Sequence, residues 1–187
     1  PLDEFVLKEL TKRSKWWANK YGVQLGIKGQ FRSWSYQLEG NLVRPYTFSH
    51  ISSGQNNAAL GLPLGHYLGS NFAELLATAR IPFKNFQLAL FSSFYLKGYD
   101  DSAISYGGDI YKSYTSHPKE YGNTIGQGIT QRTLSLQANA STTFSKLQLE
   151  LYLQAGLQYS WGEMGTKTTP LVCAGIRSNL FNERKIR

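Results

Sequence analysis

Long stretches of this chain alternate apolar and polar residues with a period of two, the pattern of a β-strand with two unlike faces. In the clearest stretch, residues 147–159, leucine, alanine and tyrosine occupy every second position. Glutamine, glutamate, tyrosine and glycine fill the positions between them. Similar alternation elsewhere predicts strands at 3–10, 21–30, 35–47, 71–81, 86–97, 128–141, 147–160 and 170–181.

The connections between these eight predicted strands alternate in length. The long ones are 11–20, 48–70, 98–127 and 161–169, and the short ones are 31–34, 82–85 and 142–146. Transmembrane β-barrels have long external loops, tight periplasmic turns and an even number of strands. We therefore predict that residues 1–187 form one all-β domain, an antiparallel transmembrane β-barrel of about eight strands. It would be either a complete small barrel or the C-terminal part of a larger one.

Aromatic residues support a membrane setting, because they fall near both ends of the predicted strands, where interfacial girdles are required. Near the long loops lie Trp17, Tyr21, Tyr46, Phe48, Phe72, Tyr99, Tyr159 and Trp161. Near the short turns lie Phe31, Trp34, Tyr36, Phe83, Phe86, Phe144 and Phe181. A soluble antiparallel sandwich or lipocalin-like barrel is the alternative, but it would gather its large rings in mid-strand.

Composition narrows the class of protein further. No run of 18 apolar residues is present to form a transmembrane helix, and the single cysteine, Cys173, excludes disulfides within the chain. The net charge of +8 comes with no nucleic-acid-binding motif, so we expect no nucleic-acid partner. Basic residues at a barrel rim can instead pair with phosphates of lipopolysaccharide or phospholipid. Ordinary solvated loop charge explains these residues equally well; outer-membrane lipids and lipopolysaccharide are the partners that we expect.

The residues expected to act fall into two groups. Charged side chains on the polar face can pair across a narrow lumen, and these are Glu39, Glu74, Arg80, Arg132, Glu150 and Arg177. The long loops mix tyrosine with glycine, serine and aspartate, which suits contact with sugar or protein surfaces. The same tyrosines equally suit a loop folded onto itself as a plug. The expected loop binding residues are His50, Asn56, His66, Asn71, Tyr106, Asp109, Tyr111, Tyr114 and Tyr121.

One short motif leaves an enzymatic alternative open. His50, Ser52 and Gly54 have an H-x-S-x-G spacing that loosely resembles the motif of outer-membrane phospholipase A. In an extended segment residues two apart point the same way, so His50 could activate Ser52, with Asn56 or Asn57 orienting the imidazole. The three histidines would bind a metal only if the long loops met over the barrel mouth. Because the motif opens a long polar loop, we expect no catalysis, no metal and no cofactor.

Several segments resemble the RemB-type gliding-motility outer-membrane proteins, a family of large Gram-negative barrels. The segments are 43–50 (VRPYTFSH), 3–10 with Trp16 and Trp17, 63–72 (PLGHYLGSNF), 106–110, 121–128, 175–177 and 180–182. Tyr67 and the segment 58–60 depart from the family pattern, and the ending Lys185-Ile186-Arg187 lacks the usual terminal aromatic residue. A relationship to capsule-assembly outer-membrane barrels is also implied.

The resemblance implies a bacterial outer-membrane location and the C-terminal portion of a longer barrel. It implies a role in surface motility, secretion or adhesin display, or surface polysaccharide attachment, and it supplies no catalytic residues. Protein partners in an outer-membrane complex, or a surface polysaccharide, would then bind the external loops. A passive outer-membrane pore and an esterase using His50 and Ser52 remain the alternatives.

Overall fold

The computed structural model describes residues 2–3, 6–12, 14–145 and 147–178. Seven long strands pair in chain order into one antiparallel sheet. They are β2 (Lys20–Phe31), β3 (Trp34–Val43), β6 (Phe72–Pro82), β7 (Gln87–Tyr99), β8 (Ile129–Phe144), β9 (Leu149–Gly162) and β10 (Lys167–Ser178). The short elements are β1 (Leu2–Asp3), helix α1 (Leu7–Thr11), the hairpin of β4 (Ala58–Ala59) and β5 (Leu62–Pro63), and 3-10 turns at Ser53–Gln55 and Tyr114–Ser116.

The predicted all-β antiparallel fold is confirmed, and seven of the eight predicted strands are found. The strand predicted at 3–10 is wrong, because that segment contains α1, and only Leu2–Asp3 pairs with β2. Its alternation is weak, and the run Leu7-Lys8-Glu9-Leu10 consists of good helix formers. Residues 179–181, the predicted end of the last strand, lie outside the described residues.

Within the described residues the sheet is open. The outer edge of β2 is paired only at Lys20 and Tyr21, and β10 pairs only with β9. Six reversals separate β2 from β10, so these two edge strands run in the same direction and could not pair antiparallel with each other. The predicted even strand count differs from the seven long strands found, and closure into a barrel stays a prediction.

The pairing register separates two unlike faces, because a strand points alternate side chains to opposite sides. One row on the first side contains Leu25, Gly40, Leu75, Phe94, Leu134 and Tyr159, and the next contains Ile27, Leu38, Ala77, Ser92, Leu136 and Leu157. We call this side the apolar face. A row on the other side, the polar face, contains Gln24, Asn41, Glu74, Tyr95, Thr133 and Ser160.

Both long loops lie at one end of the sheet. Short turns join β2 to β3, β6 to β7 and β8 to β9, as predicted, whereas long segments join β3 to β6 and β7 to β8. The predicted long loop at 161–169 is wrong, since β9 and β10 are joined by residues 163–166 alone. The two long segments fold over the adjoining end of the polar face. There Phe48 and Ile110 pack with Val43 and Phe72 into the buried hydrophobic cluster.

The predicted aromatic girdles are only partly found. At the short-turn end Phe31, Trp34, Phe83, Phe86 and Phe144 are exposed. At the other end Tyr159 stacks on Trp161 with their ring centroids 5.2 Å apart. Tyr46 and Phe48 are instead buried within the first long loop, and Phe72 is buried on the polar face at the start of β6. Phe181 lies outside the described residues.

In the part of the chain that the structure describes, no helix has the length and apolar character needed to cross a membrane.

Candidate functional site: a folded loop cap above a polar sheet face

Asn71 joins the two long loops. It is fully buried and has a φ of 61°, a left-handed conformation that asparagine tolerates. Its side-chain Nδ2 donates to the carbonyls of Gly98 at 3.1 Å and Gln127 at 2.8 Å. Its Oδ1 accepts from the backbone N–H of Gly126 at 2.8 Å. One buried amide therefore holds the end of β7 and the end of the loop that follows it against the segment that precedes β6.

Asp100 organises the loop that follows β7. One carboxylate oxygen accepts from the backbone N–H groups of Tyr106 at 2.7 Å and Gly108 at 3.0 Å, and the other accepts from Asp109 at 3.2 Å. The charge of a carboxylate strengthens each of these bonds. The backbone of residues 106–109 is therefore folded around the carboxylate of Asp100.

Lys97 ties both loops to the sheet from the end of β7. Its ammonium group is buried and donates to the carbonyls of Leu68, Ser70 and Gly108, the latter two at 3.0 Å. A buried ammonium requires such acceptors because it has lost its hydration. Lys97 therefore holds the 44–71 and 100–128 segments against each other.

The segment before β2 completes this assembly. Trp17 stacks on His117 with ring centroids 4.5 Å apart, and its indole N–H donates to Glu120 at 2.9 Å. Hydrogen bonds from His117 and Trp17 lower the pKa of Glu120. Arg44 reaches the backbone carbonyl of Asn123 at 3.3 Å. We call residues 14–19, 44–71 and 100–128 together the loop cap, and these contacts join its segments to one another.

A carboxylate network lies on the polar face directly below the loop cap. Glu74 is 5% exposed and accepts from Asn41 Nδ2 at 3.1 Å, while its Oε2 lies 3.0 Å from His66 Nε2. The hydroxyl of Tyr67 donates to the other oxygen of Glu74. Asn41 also donates to Glu39 at 2.9 Å. Two adjacent residues of the cap are therefore attached to a buried acid of the sheet.

The ring of His66 has both nitrogens engaged. Nδ1 accepts from the N–H of Leu68 at 3.2 Å, which leaves the ring hydrogen of a neutral imidazole on Nε2, facing Glu74. Burial lowers the pKa of His66, although the Glu74 carboxylate opposes that shift. Because neither nitrogen is free to take a proton from a substrate, the arrangement serves attachment and not general-base catalysis.

The attachment through His66 should weaken in mild acid. Its pKa lies below the 6.5 of an unfolded histidine, so its stabilising contribution is complete above about pH 6.5 and decreases as the pH falls through the lowered pKa. We expect the Gly69 amide, which donates to the His66 carbonyl, to lose hydrogen-exchange protection between pH 7.5 and pH 5. The pKa values of Asp101 and Glu120 are lowered below 3.8 and 4.5, so these groups do not titrate there.

His66→Gln is the matched variant, since its amide keeps a donor toward Glu74 and cannot titrate. Its Gly69 protection should be the same at both pH values once intrinsic exchange rates are divided out. An equal pH dependence in this variant would assign the effect to another group.

The predicted lumen residues are separated on the sheet. Glu39 and Glu74 share one network, and Arg80 follows two rows further from the cap. Glu150 and Arg177 face each other at the short-turn end, 3.9 Å apart. The lumen position of Arg132 is wrong: it pairs with Leu96 and Trp161 on the apolar face, near the cap end. It shares the even numbering of Leu134 and Leu136, and therefore their side of the strand.

The predicted loop residues play unequal parts. Asn71 and His66 hold the cap together through hydrogen bonds. The ring of Tyr114 lies against Trp17, and the carbonyl of Tyr106 accepts from the side chain of Gln127. Asp109 accepts from the N–H of Tyr111, and Tyr111 and Tyr121 are exposed.

The esterase arrangement is not assembled in the described chain. Ser52 is exposed, and no hydrogen bond joins it to His50. The amide of Asn56 is shielded from solvent without a hydrogen-bond partner, so it does not orient the imidazole. The histidines are also apart, since His66 contacts Glu74 and His117 contacts Glu120. Among the described residues no group of three His, Cys, Asp or Glu side chains is placed to hold a metal ion.

Sequence reasoning missed Lys97, Asp100 and Arg44 as organising residues. Lys97 could have been found from the sequence. The alternation of β7 assigns it to the polar face near the end of the strand, and a lysine that is buried there needs hydrogen-bond acceptors. The contact of Tyr46 with Gly107 has no such signal, because the φ of 66° at Tyr46 and the closeness of its backbone N to Gly107 are seen only in the structure.

Comparison with protein-family models found no match, and comparison with curated proteins and with solved structures likewise found none. The class defined by the fold is thus an antiparallel sheet with one apolar face, one polar face and a folded loop cap.

Proposed function

We propose that this chain forms part of the wall of a bacterial outer-membrane β-barrel, with the apolar face toward lipid and the polar face toward the lumen. The loop cap would lie at the external end. The protein would act without catalysis in cell-surface motility, secretion or adhesin display, or surface polysaccharide attachment, in keeping with its resemblance to RemB-type proteins.

The observation that carries this proposal is the exposed apolar face. Leu25 is 73% exposed, Val172 77% and Ile176 68%, although all three lie within long regular strands. Soluble monomers rarely leave apolar patches larger than a few hundred Å² uncovered. Lipid chains would bury this apolar face without any second protein, and the polar face on the other side agrees with a hydrated barrel interior.

A soluble sandwich would cover the same face with protein. Against it, the hydrophobic cluster of the described chain lies on the polar-face side, under the loop cap. A passive pore is the alternative within the membrane, and Glu39 and Arg80 on the polar face would suit one. The cap covers one end of that face, so we favour a role in recognition or attachment.

Adjacent residues of β10 provide a direct test, because Cys173 lies on the polar face and Val172 on the apolar face. The protein is labelled with bimane at Cys173, or at a cysteine placed by Val172→Cys in a Cys173→Ser background, and is reconstituted in vesicles. We expect lipids with spin-labelled acyl chains to quench the label at position 172 and iodide to quench the label at position 173.

The outcome separates the alternatives. Shielding of position 172 from both quenchers would indicate a protein cover and a soluble sandwich. Quenching of both positions by iodide alone would place the whole sheet in water, and either result would refute the membrane wall.

A further inference from the structure

A groove of about 760 Å³ lies against the sheet, in the half of the polar face away from the loop cap. Its polar-face lining contains no carboxylate. It includes the amides Gln37, Gln137, Asn139 and Gln154, the cations Lys28 and Arg80, and the ring of Phe91. The carboxylate network, the loop cap and the pair of Glu150 with Arg177 contribute nothing to this lining.

The register places these side chains next to one another. Lys28 pairs with Gln37, Gln37 with Thr78, Thr78 with Phe91 and Phe91 with Gln137, all on adjacent strands. The next row away from the cap contains Arg80, Asn139 and Gln154. Neighbouring strands are about 4.8 Å apart, so the groove offers a polar group at nearly every step across the sheet.

Phe91 breaks the alternation of β7, since it lies on the polar face where Ser93 and Ala89 are its neighbours on the strand. It is half-buried and forms no ring pair among the described residues. It is also absent from the hydrophobic cluster under the cap. Folding alone does not explain an aromatic ring at this place, whereas a flat ligand surface would cover it.

The charge of the groove is uncompensated within the described chain, where neither Lys28 nor Arg80 has an ion-pair partner. The nearest acid by register is Glu39, one row closer to the cap, and it is already bound by the amides of Gln24, Gln37 and Asn41. A ligand in the groove would therefore meet positive potential together with neutral amides.

We propose that this groove binds an acidic oligosaccharide, a chain of sugar rings carrying carboxylates. The C–H face of a ring packs on Phe91, hydroxyl groups exchange hydrogen bonds with amides that both donate and accept, and carboxylates pair with Lys28 and Arg80. A single inorganic anion would need no aromatic ring, and an apolar ligand would leave the charges of Lys28 and Arg80 uncompensated. The inference deepens the proposed role in polysaccharide attachment and rests on it.

Binding can be measured by titration calorimetry on the full chain in detergent, with oligogalacturonate as the acidic ligand and a malto-oligosaccharide of equal length as the neutral one. We expect the neutral sugar to bind at least about tenfold more weakly. Arg80→Gln and Phe91→Ala should each weaken oligogalacturonate binding by about tenfold or more. Lys84→Gln, in the turn after β6, and Phe94→Ala, on the apolar face of β7, should leave the affinity unchanged.

Absence of oligogalacturonate binding to the unaltered chain would overturn the inference, and so would equal binding of the neutral sugar. If millimolar sulfate displaced oligogalacturonate completely, the groove would be a simple anion site, and the inference would also be refuted. None of these results affects the bimane test, so the proposed sugar binding can be refuted while the proposed membrane wall is retained. Loss of affinity in the Phe94→Ala control would point to global damage and would refute the assignment to Phe91.

Discussion

We expect the Leu136→Arg variant to lose about 2–4 kcal/mol of stability in a bilayer and to assemble poorly. Leu136 lies in the middle of β8 on the apolar face, beside Ser92 and Leu157 in the same row. A guanidinium group there has no carboxylate partner within the row and would have to enter hydrocarbon. Losses of this size are a large part of the ~5–15 kcal/mol that usually stabilises a folded protein.

Ser135→Arg is the matched control, because the neighbouring residue of the same strand faces the polar side, beside Ser93 and Gln158. It introduces the same charged side chain at the adjacent position of the same strand. Urea unfolding in phospholipid vesicles, followed by the difference in gel migration before and after heating, measures both variants. Equal midpoints for the two would contradict a lipid-facing apolar side, whereas only the Leu136 variant should show the loss.

The strands could be predicted from the sequence because a period of two is a local property. The alternation of β9 follows from its own residues, and a one-residue slip in its pairing with β8 would exchange its faces. The helix α1 could not be predicted in this way, since its five residues carry too short a pattern. Arg132 shows the converse: the numbering of Leu134 and Leu136 predicts its true face when it is followed strictly.

The candidate site was less accessible to sequence reasoning. Glu39 and Glu74 follow from strand parity, but their junction with His66 and Tyr67 depends on how a long loop returns to the sheet. Loop conformation is determined by contacts between residues far apart in sequence, such as Asn71 with Gly126. No local pattern encodes such contacts, so composition left both a binding loop and a self-folded plug open.

Removal of the Asn71 side chain should open the loop cap while leaving the sheet intact. Asn71→Ala deletes four hydrogen bonds, to Gly98, Tyr106, Gln127 and Gly126, and it leaves buried carbonyl and N–H groups unpaired. We expect the cap to lose about 3–5 kcal/mol. Hydrogen exchange measured by mass spectrometry should show faster exchange across residues 98–127, with unchanged protection in β8 and β9.

Two further variants separate the causes of that loss. Asn71→Gly removes the same hydrogen bonds but accepts the φ of 61° freely, so it should be about 1 kcal/mol less damaging than Asn71→Ala. Asn57→Ala removes an exposed asparagine of the same loop and should change nothing. If Asn71→Gly exchanged like the unaltered chain, the hydrogen bonds would carry little of the stability, and backbone strain alone would explain the alanine variant. If β8 and β9 also lost protection, the cap would be part of the folding unit of the sheet and not a separable layer on it.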